Sequence, residues 1–175
     1  METKLVIPVL LGTAREGRQS EKAAVYMAEQ LVAAGFDAPL VDVRDIATSA
    51  TFHSKDPQPK ILPWKELMAR ADGLVIVTPE YNHGYPGELK IVLDSLYAEY
   101  ARKPVGICGV SSGGFGGVRV VEQLRQVVIT FQMLPLKNAV QFSGIESFQP
   151  ANYDAAVKTF CEELRWAAQT LKNGR

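Results

Sequence analysis

The sequence predicts an α/β fold in three layers: a five-stranded parallel sheet, order 2-1-3-4-5, between two sets of helices. Three observations point to it. Five short apolar runs alternate along the chain with five segments whose apolar residues recur at helical spacing. Strict β-α alternation with right-handed crossovers requires a parallel sheet covered on both faces. The length of 175 residues suits five such units in one domain over 1–175 and leaves no room for a separate substrate domain.

The first strand is expected over residues 5–11, an apolar stretch interrupted by Pro8, too short to span a membrane and without a small-residue cleavage site. Ala24, Met27, Ala28 and Leu31 follow at helical spacing and stop at Gly35. Residues 38–43 form the second strand. Residues 48–63, with His53, Asp56, Pro57, Pro59 and Pro63, break any periodic pattern and read as a loop within the domain. Trp64, Leu67, Met68 and Ala71 make a short helix before the third strand, 74–77. The third helix is marked by Leu89, Val92, Leu93, Leu96 and Tyr100, and the fourth strand is 105–110. Val120, Val121, Leu124, Val127, Val128 and Phe131 mark the fourth helix. The fifth strand is expected over 136–142, and Val157, Phe160, Cys161, Leu164, Ala168 and Leu171 mark the last helix.

Composition excludes more than it selects. Apolar residues are 47% and charged residues 22%, which argues against disorder. Lys plus Arg and Asp plus Glu both total 19, so no global field draws the chain to nucleic acid or an anionic membrane. The same balance counts against an acidic electron carrier that docks by surface charge. Cys108 and Cys161 sit in apolar periodic segments without ligand spacing, which predicts packed thiols and a cytoplasmic protein.

A sheet of this order binds its ligand outside the carboxyl ends of the strands, beside the first and third, so the loops there carry the chemistry. The loop after the first strand contains Gly12, Thr13, Ala14, Arg15, Glu16, Gly17, Arg18, Gln19 and Ser20. Small residues, hydroxyls, guanidiniums and a helix N-terminus make an anion cradle, in which each hydrogen bond to a charged phosphate adds roughly 1.5–3 kcal/mol. The plainer alternative is a Ser20 cap with solvated arginines. Arg18 and Gln19 stand where a nucleoside-triphosphate loop needs lysine and a hydroxyl, and the third strand ends in Thr78 and Pro79 without an acidic metal ligand. That removes an NTPase and a phospho-accepting receiver.

The second loop runs Thr78, Pro79, Glu80, Tyr81, Asn82, His83, Gly84, Tyr85, Pro86, Gly87. Its prolines and glycines fix a shape suited to the edge and face of a flat heterocycle. The third, Gly109, Val110, Ser111, Ser112, Gly113, Gly114, Phe115, Gly116, Gly117, allows close backbone approach. Gly109, Ser111 and Gly113 also fit a GxSxG nucleophile elbow. A serine hydrolase on Ser111 is disfavoured because both histidines, His53 and His83, precede it, whereas that fold places its base after the nucleophile. Neither histidine has a ligand partner at metal spacing.

Taken together these loops resemble the NADPH-dependent FMN reductase family, flavodoxin-like flavoproteins that include quinone, azo-dye and chromate reductases. The resemblance covers most of the chain. It lies in Gly12-Thr13-Ala14-Arg15 with Ser20, in the segment from Pro79 through Gly87-Glu88-Leu89-Lys90 with Leu93-Asp94, and in Lys103-Pro104-Val105-Gly106 leading to Ser111-Ser112-Gly113-Gly114. By this similarity Thr13, Arg15, Gly17, Arg18, Gln19 and Ser20 hold the FMN phosphate. Pro79, Glu80, Tyr81, Asn82, His83 and Gly84, with Ser111, Ser112, Gly113 and Gly114, border the isoalloxazine. The first loop departs from the familiar pattern at Arg18 and Ser20, which leaves open whether Arg18 meets phosphate or solvent.

The resemblance implies an enzyme in which NADPH or NADH gives hydride to flavin N5, and a small-molecule electron acceptor replaces it in a ping-pong cycle. The acceptor is a quinone, an azo compound, free flavin or a metal oxyanion. No catalytic side chain and no metal are expected. Arg18, Lys22, Arg44 and Arg119 are the cations available to a nicotinamide 2′-phosphate. The resemblance also implies a homodimer or homotetramer, which would bury Tyr97 and Tyr100; packing of both within the monomer is the alternative. A flavin-binding redox sensor without turnover is the second reading of the same loops.

Overall fold

The computed structural model describes residues 4–175. The expected strand order is realised, with parallel pairing throughout: β2 (Leu40–Asp42), β1 (Val9–Leu11), β3 (Leu74–Pro79), β4 (Pro104–Val110) and β5 (Leu134–Pro135), while β6 (Val140–Phe142) also pairs with β4. Helices α1 (Ser20–Ala33) and α6 (Asp154–Asn173) cover one face. On the other lie α2 (Val43–Ile46), α3 (Leu62–Arg70), α4 (Gly87–Asp94) and α5 (Val118–Thr130). No helix among the described residues is long and apolar enough to cross a membrane.

The period of two along each strand sorts the core. Val9, Leu11, Val75, Val77, Cys108 and Val110 pack toward α1 and α6, whereas Leu10, Leu74, Ile76, Val105 and Ile107 pack toward α3, α4 and α5. Every residue of β3 and β4 is buried, as befits central parallel strands. Gly106 lets α6 close on this sheet: a Cβ there would lie 2.1 Å from Cζ of Phe160, a fully buried ring.

Four elements differ from expectation. The ladder of β1 starts only at Val9, because Pro8 has no N–H to give; residues before it keep an isolated bridge, Val6 to Asp37. Strand β2 ends at Asp42, whose carboxylate accepts the Arg44 N–H at 2.9 Å and starts the unforeseen α2. The third helix stops at Asp94 rather than Tyr100, which sits in a separate 3-10 turn. The fifth strand is split. Pro104 pairs with Leu134 but Cys108 pairs with Val140, so the chain bulges outward by two residues between β5 and β6. Glu163 of α6 holds the bulge by accepting the amides of Lys137 and Asn138 at 2.8 and 3.0 Å.

Tyr100 is fully buried within the monomer, hydrogen-bonded by Trp64 Nε1 at 2.9 Å. Tyr97 remains 45% exposed, its hydroxyl donating to the Thr130 carbonyl at 3.0 Å.

Candidate functional site

The loops after β1, β3, β4 and β6 meet at one edge of the sheet and enclose a cleft of ≈ 880 Å³. It is lined by Arg15, Gly17, Arg18, Gln19 and Ser20 of the first loop, Pro79, Glu80, Tyr81 and Asn82 of the second, and Ser111 and Ser112 of the third. Thr13, His83, Gly84, Gly113 and Gly114 lie outside that lining. Val110, in the third loop but not expected as a contact, also belongs to it, as do Ile145 and Glu146, which were not foreseen.

The first loop delivers its groups unequally. Arg18 turns inward. Its side chain is 3% exposed, forms a two-pronged ion pair with Asp42 and donates to the Thr13 carbonyl at 2.5 Å. The hydrogen bond to Asp42 raises the guanidinium pKa further. Burial alone would push the Asp42 carboxyl up, but hydrogen bonds from Arg18 and the Arg44 amide outweigh it and hold the group below the usual carboxylate range. Arg44 clamps the loop from outside through the carbonyls of Ala14 and Arg15, at 3.1 and 2.6 Å.

Ser20 stands apart. It is 2% exposed, begins the fourteen-residue α1, and its Oγ is the one buried side-chain polar atom among the described residues without a hydrogen-bond partner. Gln19 precedes the helix and gives no side-chain cap; its carbonyl accepts the Lys22 N–H at 3.2 Å, and the amides of Ser20 and Glu21 keep the partial positive charge of the helix N-terminus beside the cleft. Arg15 lies over the Tyr81 ring at 5.5 Å and has no ion pair among the described residues.

The second loop is a tight hairpin. Tyr81 and Gly84 exchange both backbone hydrogen bonds at 2.9 Å, and the central residues Asn82 and His83 take φ of 49° and 68°. This is the left-handed pair of a type I′ turn, which asparagine tolerates well and histidine less so. The Glu80 carboxylate faces α5, accepting the Arg119 and Val120 amides at 3.1 and 3.3 Å and pairing with the Arg119 guanidinium. Burial opposes its ionisation, yet these donors keep its pKa below the ordinary value.

The third loop folds back over the end of β4: at Gly109 a Cβ would lie 2.5 Å from the Gly116 carbonyl oxygen. Its own backbone needs that glycine. Ser111 N–H donates to the Phe142 carbonyl at 3.0 Å, and Ile145 N–H to Ser111 at 3.2 Å, so the third loop and the segment after β6 are laced together. The Ser111 hydroxyl donates to the Gly113 carbonyl at 2.9 Å, φ at Ser111 is not positive, and α5 begins only at Val118. A nucleophile elbow has a strained serine and an immediate helix, so the hydrolase geometry is absent.

Strand order and cleft position define the class: a flavodoxin-like α/β protein with a cleft at its switch point. The family follows from comparison. Residues 5–146 match the NADPH-dependent FMN reductase family, and the chain belongs to it. An NAD(P)H-dependent FMN reductase of Schizosaccharomyces pombe is 37% identical over 130 residues, 69% of this chain and 64% of that protein, just under two thirds of its length. A quinone reductase of Escherichia coli K12 is 33% identical over 150 residues, covering 82% and 79% of the two chains. An oxidoreductase structure from Corynebacterium diphtheriae superposes with a TM-score of 0.77 at 17% identity, covering 95% and 98%, a likeness of fold.

Proposed function

We propose that the chain is an FMN-dependent oxidoreductase that takes hydride from NADPH or NADH and passes electrons to a small-molecule acceptor. The carrying observation is Ser20 Oγ, buried without a partner at the start of α1 and beside the cleft. A phosphate there would give it an acceptor, with the helix amides and the unpaired Arg15 supplying charge. The residues therefore fit FMN. On this reading Arg15, Gly17, Gln19 and Ser20 hold the phosphate, while residues 79–82 and the third loop border the ring. Thr13 and Arg18 act from behind, as struts.

FMN, when bound, supplies the capacity to accept and return a hydride. The chain's part is to bind, orient and limit access. With one cleft of this size, nicotinamide and acceptor take turns in it, which is the ping-pong order. The relative named a quinone reductase makes a quinone the first acceptor to try, ahead of azo compounds, free flavin and metal oxyanions. We place the protein in the cytoplasm as a homodimer or homotetramer, on its two buried free thiols and the exposed Tyr97. The working unit is a single domain over 1–175, with no nucleic acid or membrane among its partners.

Steady-state NADPH oxidation at varied quinone tests this. Parallel double-reciprocal lines are expected. Tight FMN binding with negligible turnover would replace the enzyme by a redox sensor.

A further inference from the structure

We propose that Glu88 is a positioning residue for this cleft: through Thr13 it sets the polarity of the Tyr81 hydroxyl and anchors the first loop. The proposal rests on reading the cleft as the FMN site. Glu88 lies in the first turn of α4 and does not line the cleft. Its Oε1 accepts the Ala14 N–H at 2.7 Å and the Thr13 hydroxyl at 3.1 Å.

Thr13 is fully buried, and a hydroxyl has one proton and two lone pairs. With its proton given to the carboxylate, Thr13 Oγ1 is left to accept. It accepts the Arg15 N–H at 3.3 Å, and the Tyr81 oxygen stands 3.3 Å away. Tyr81 must therefore be the donor in that pair. Its only proton points at Thr13, so toward the cleft the phenol offers lone pairs alone.

A ligand consequently meets Tyr81 as an acceptor and must bring an N–H or O–H to it. The same ring flanks the Arg15 guanidinium at 5.5 Å. One carboxylate outside the wall thus registers two loops: the Thr13–Arg15 turn of the first and the Tyr81 face of the second.

The test uses the full chain freed of flavin, with E88L, E88Q, T13V and E88L/T13V. Glu88→Gln keeps a carbonyl oxygen able to accept from both Ala14 and Thr13; Glu88→Leu keeps none. Two readouts are taken: FMN affinity by flavin fluorescence, and hydrogen exchange of the Ala14 amide without FMN. E88L and T13V are each expected to weaken FMN about tenfold, the double variant no more than either, and E88Q less than about threefold. Ala14 exchange should accelerate in E88L and stay slow in E88Q. Unchanged Ala14 exchange in E88L overturns the latch whatever FMN does. Accelerated Ala14 exchange in E88L together with wild-type FMN affinity in E88L, with equal FMN losses in E88Q and E88L, or with additive losses in the double variant overturns the positioning role alone. Failure of the wild-type chain to bind FMN overturns the underlying reading, and the positioning role with it.

Discussion

Ser20 and Arg18 are two residues apart and do opposite work. Arg18 spends its guanidinium inside the protein, on Asp42 and Thr13, whereas Ser20 keeps a buried hydroxyl unused. Replacing Ser20 by alanine should therefore leave the flavin-free protein as stable as before or slightly more so, because an unsatisfied buried group is removed. FMN affinity should fall by about tenfold or more, from the loss of one hydrogen bond to a charged phosphate. Thermal melting without flavin and FMN titration read the two signs separately.

The Arg18–Asp42 pair predicts a pH dependence. Asp42 binds its proton less readily in the folded chain than in the unfolded one. Its contribution is therefore complete above the unfolded pKa of about 4 and is lost as pH falls through the lower folded value. Asp42→Asn should cost about 3 kcal/mol near neutrality, since it removes the two-pronged partner of a buried guanidinium and leaves it, as counter-charge, only the longer contact to exposed Glu21 at 3.5 Å. Urea denaturation of both proteins at descending pH should show that gap closing below pH of about 4. The sequence placed both arginines in the loop but not their directions, because Asp42 arrives from β2, and only the assembled sheet sets it beside Arg18.

At the scale of elements, short apolar runs and period-3.6 patterns made the strand and helix order legible; the opposite packing of Leu10 from Val9 and Leu11 came only with the folded sheet. Boundaries set by tertiary partners were not. The break between β5 and β6 depends on Glu163 of α6, distant in sequence, and nothing within 136–142 announces it. Ile145 and Glu146 were not legible for a related reason: no anion-cradle or glycine-rich pattern marks the segment after β6, and the parallel sheet, whose strands all end at the same edge, brings it to the cleft.

Gly106 shows how tightly the layers are set. Gly106→Ala should cost about 1–3 kcal/mol by overpacking against Phe160. Combining it with Phe160→Leu should cost less than the two changes summed, because the smaller side chain frees the space the methyl needs. Equilibrium unfolding of the four proteins measures the coupling; strict additivity would mean that α6 does not seat on Gly106.

Across the whole molecule, a net charge of zero conceals a local arrangement. Arg18, Arg44 and Arg119 are drawn into holding loops together, which leaves Arg15 and the start of α1 to face an anion. Each loop is secured by another: the first by Arg44 and Glu88, the second by its hairpin and Arg119, the third by the segment after β6. A cleft so braced accords with the proposed binding of a flat, phosphorylated ligand in one orientation.

Its most direct test is the visible spectrum of the flavin-free protein titrated with FMN and then given NADPH without oxygen. The account predicts binding of one FMN per chain, bleaching on addition of NADPH, and return of the oxidised spectrum when a quinone is added. A protein that takes up no FMN, or whose bound FMN stays yellow with both NADPH and NADH, would contradict it.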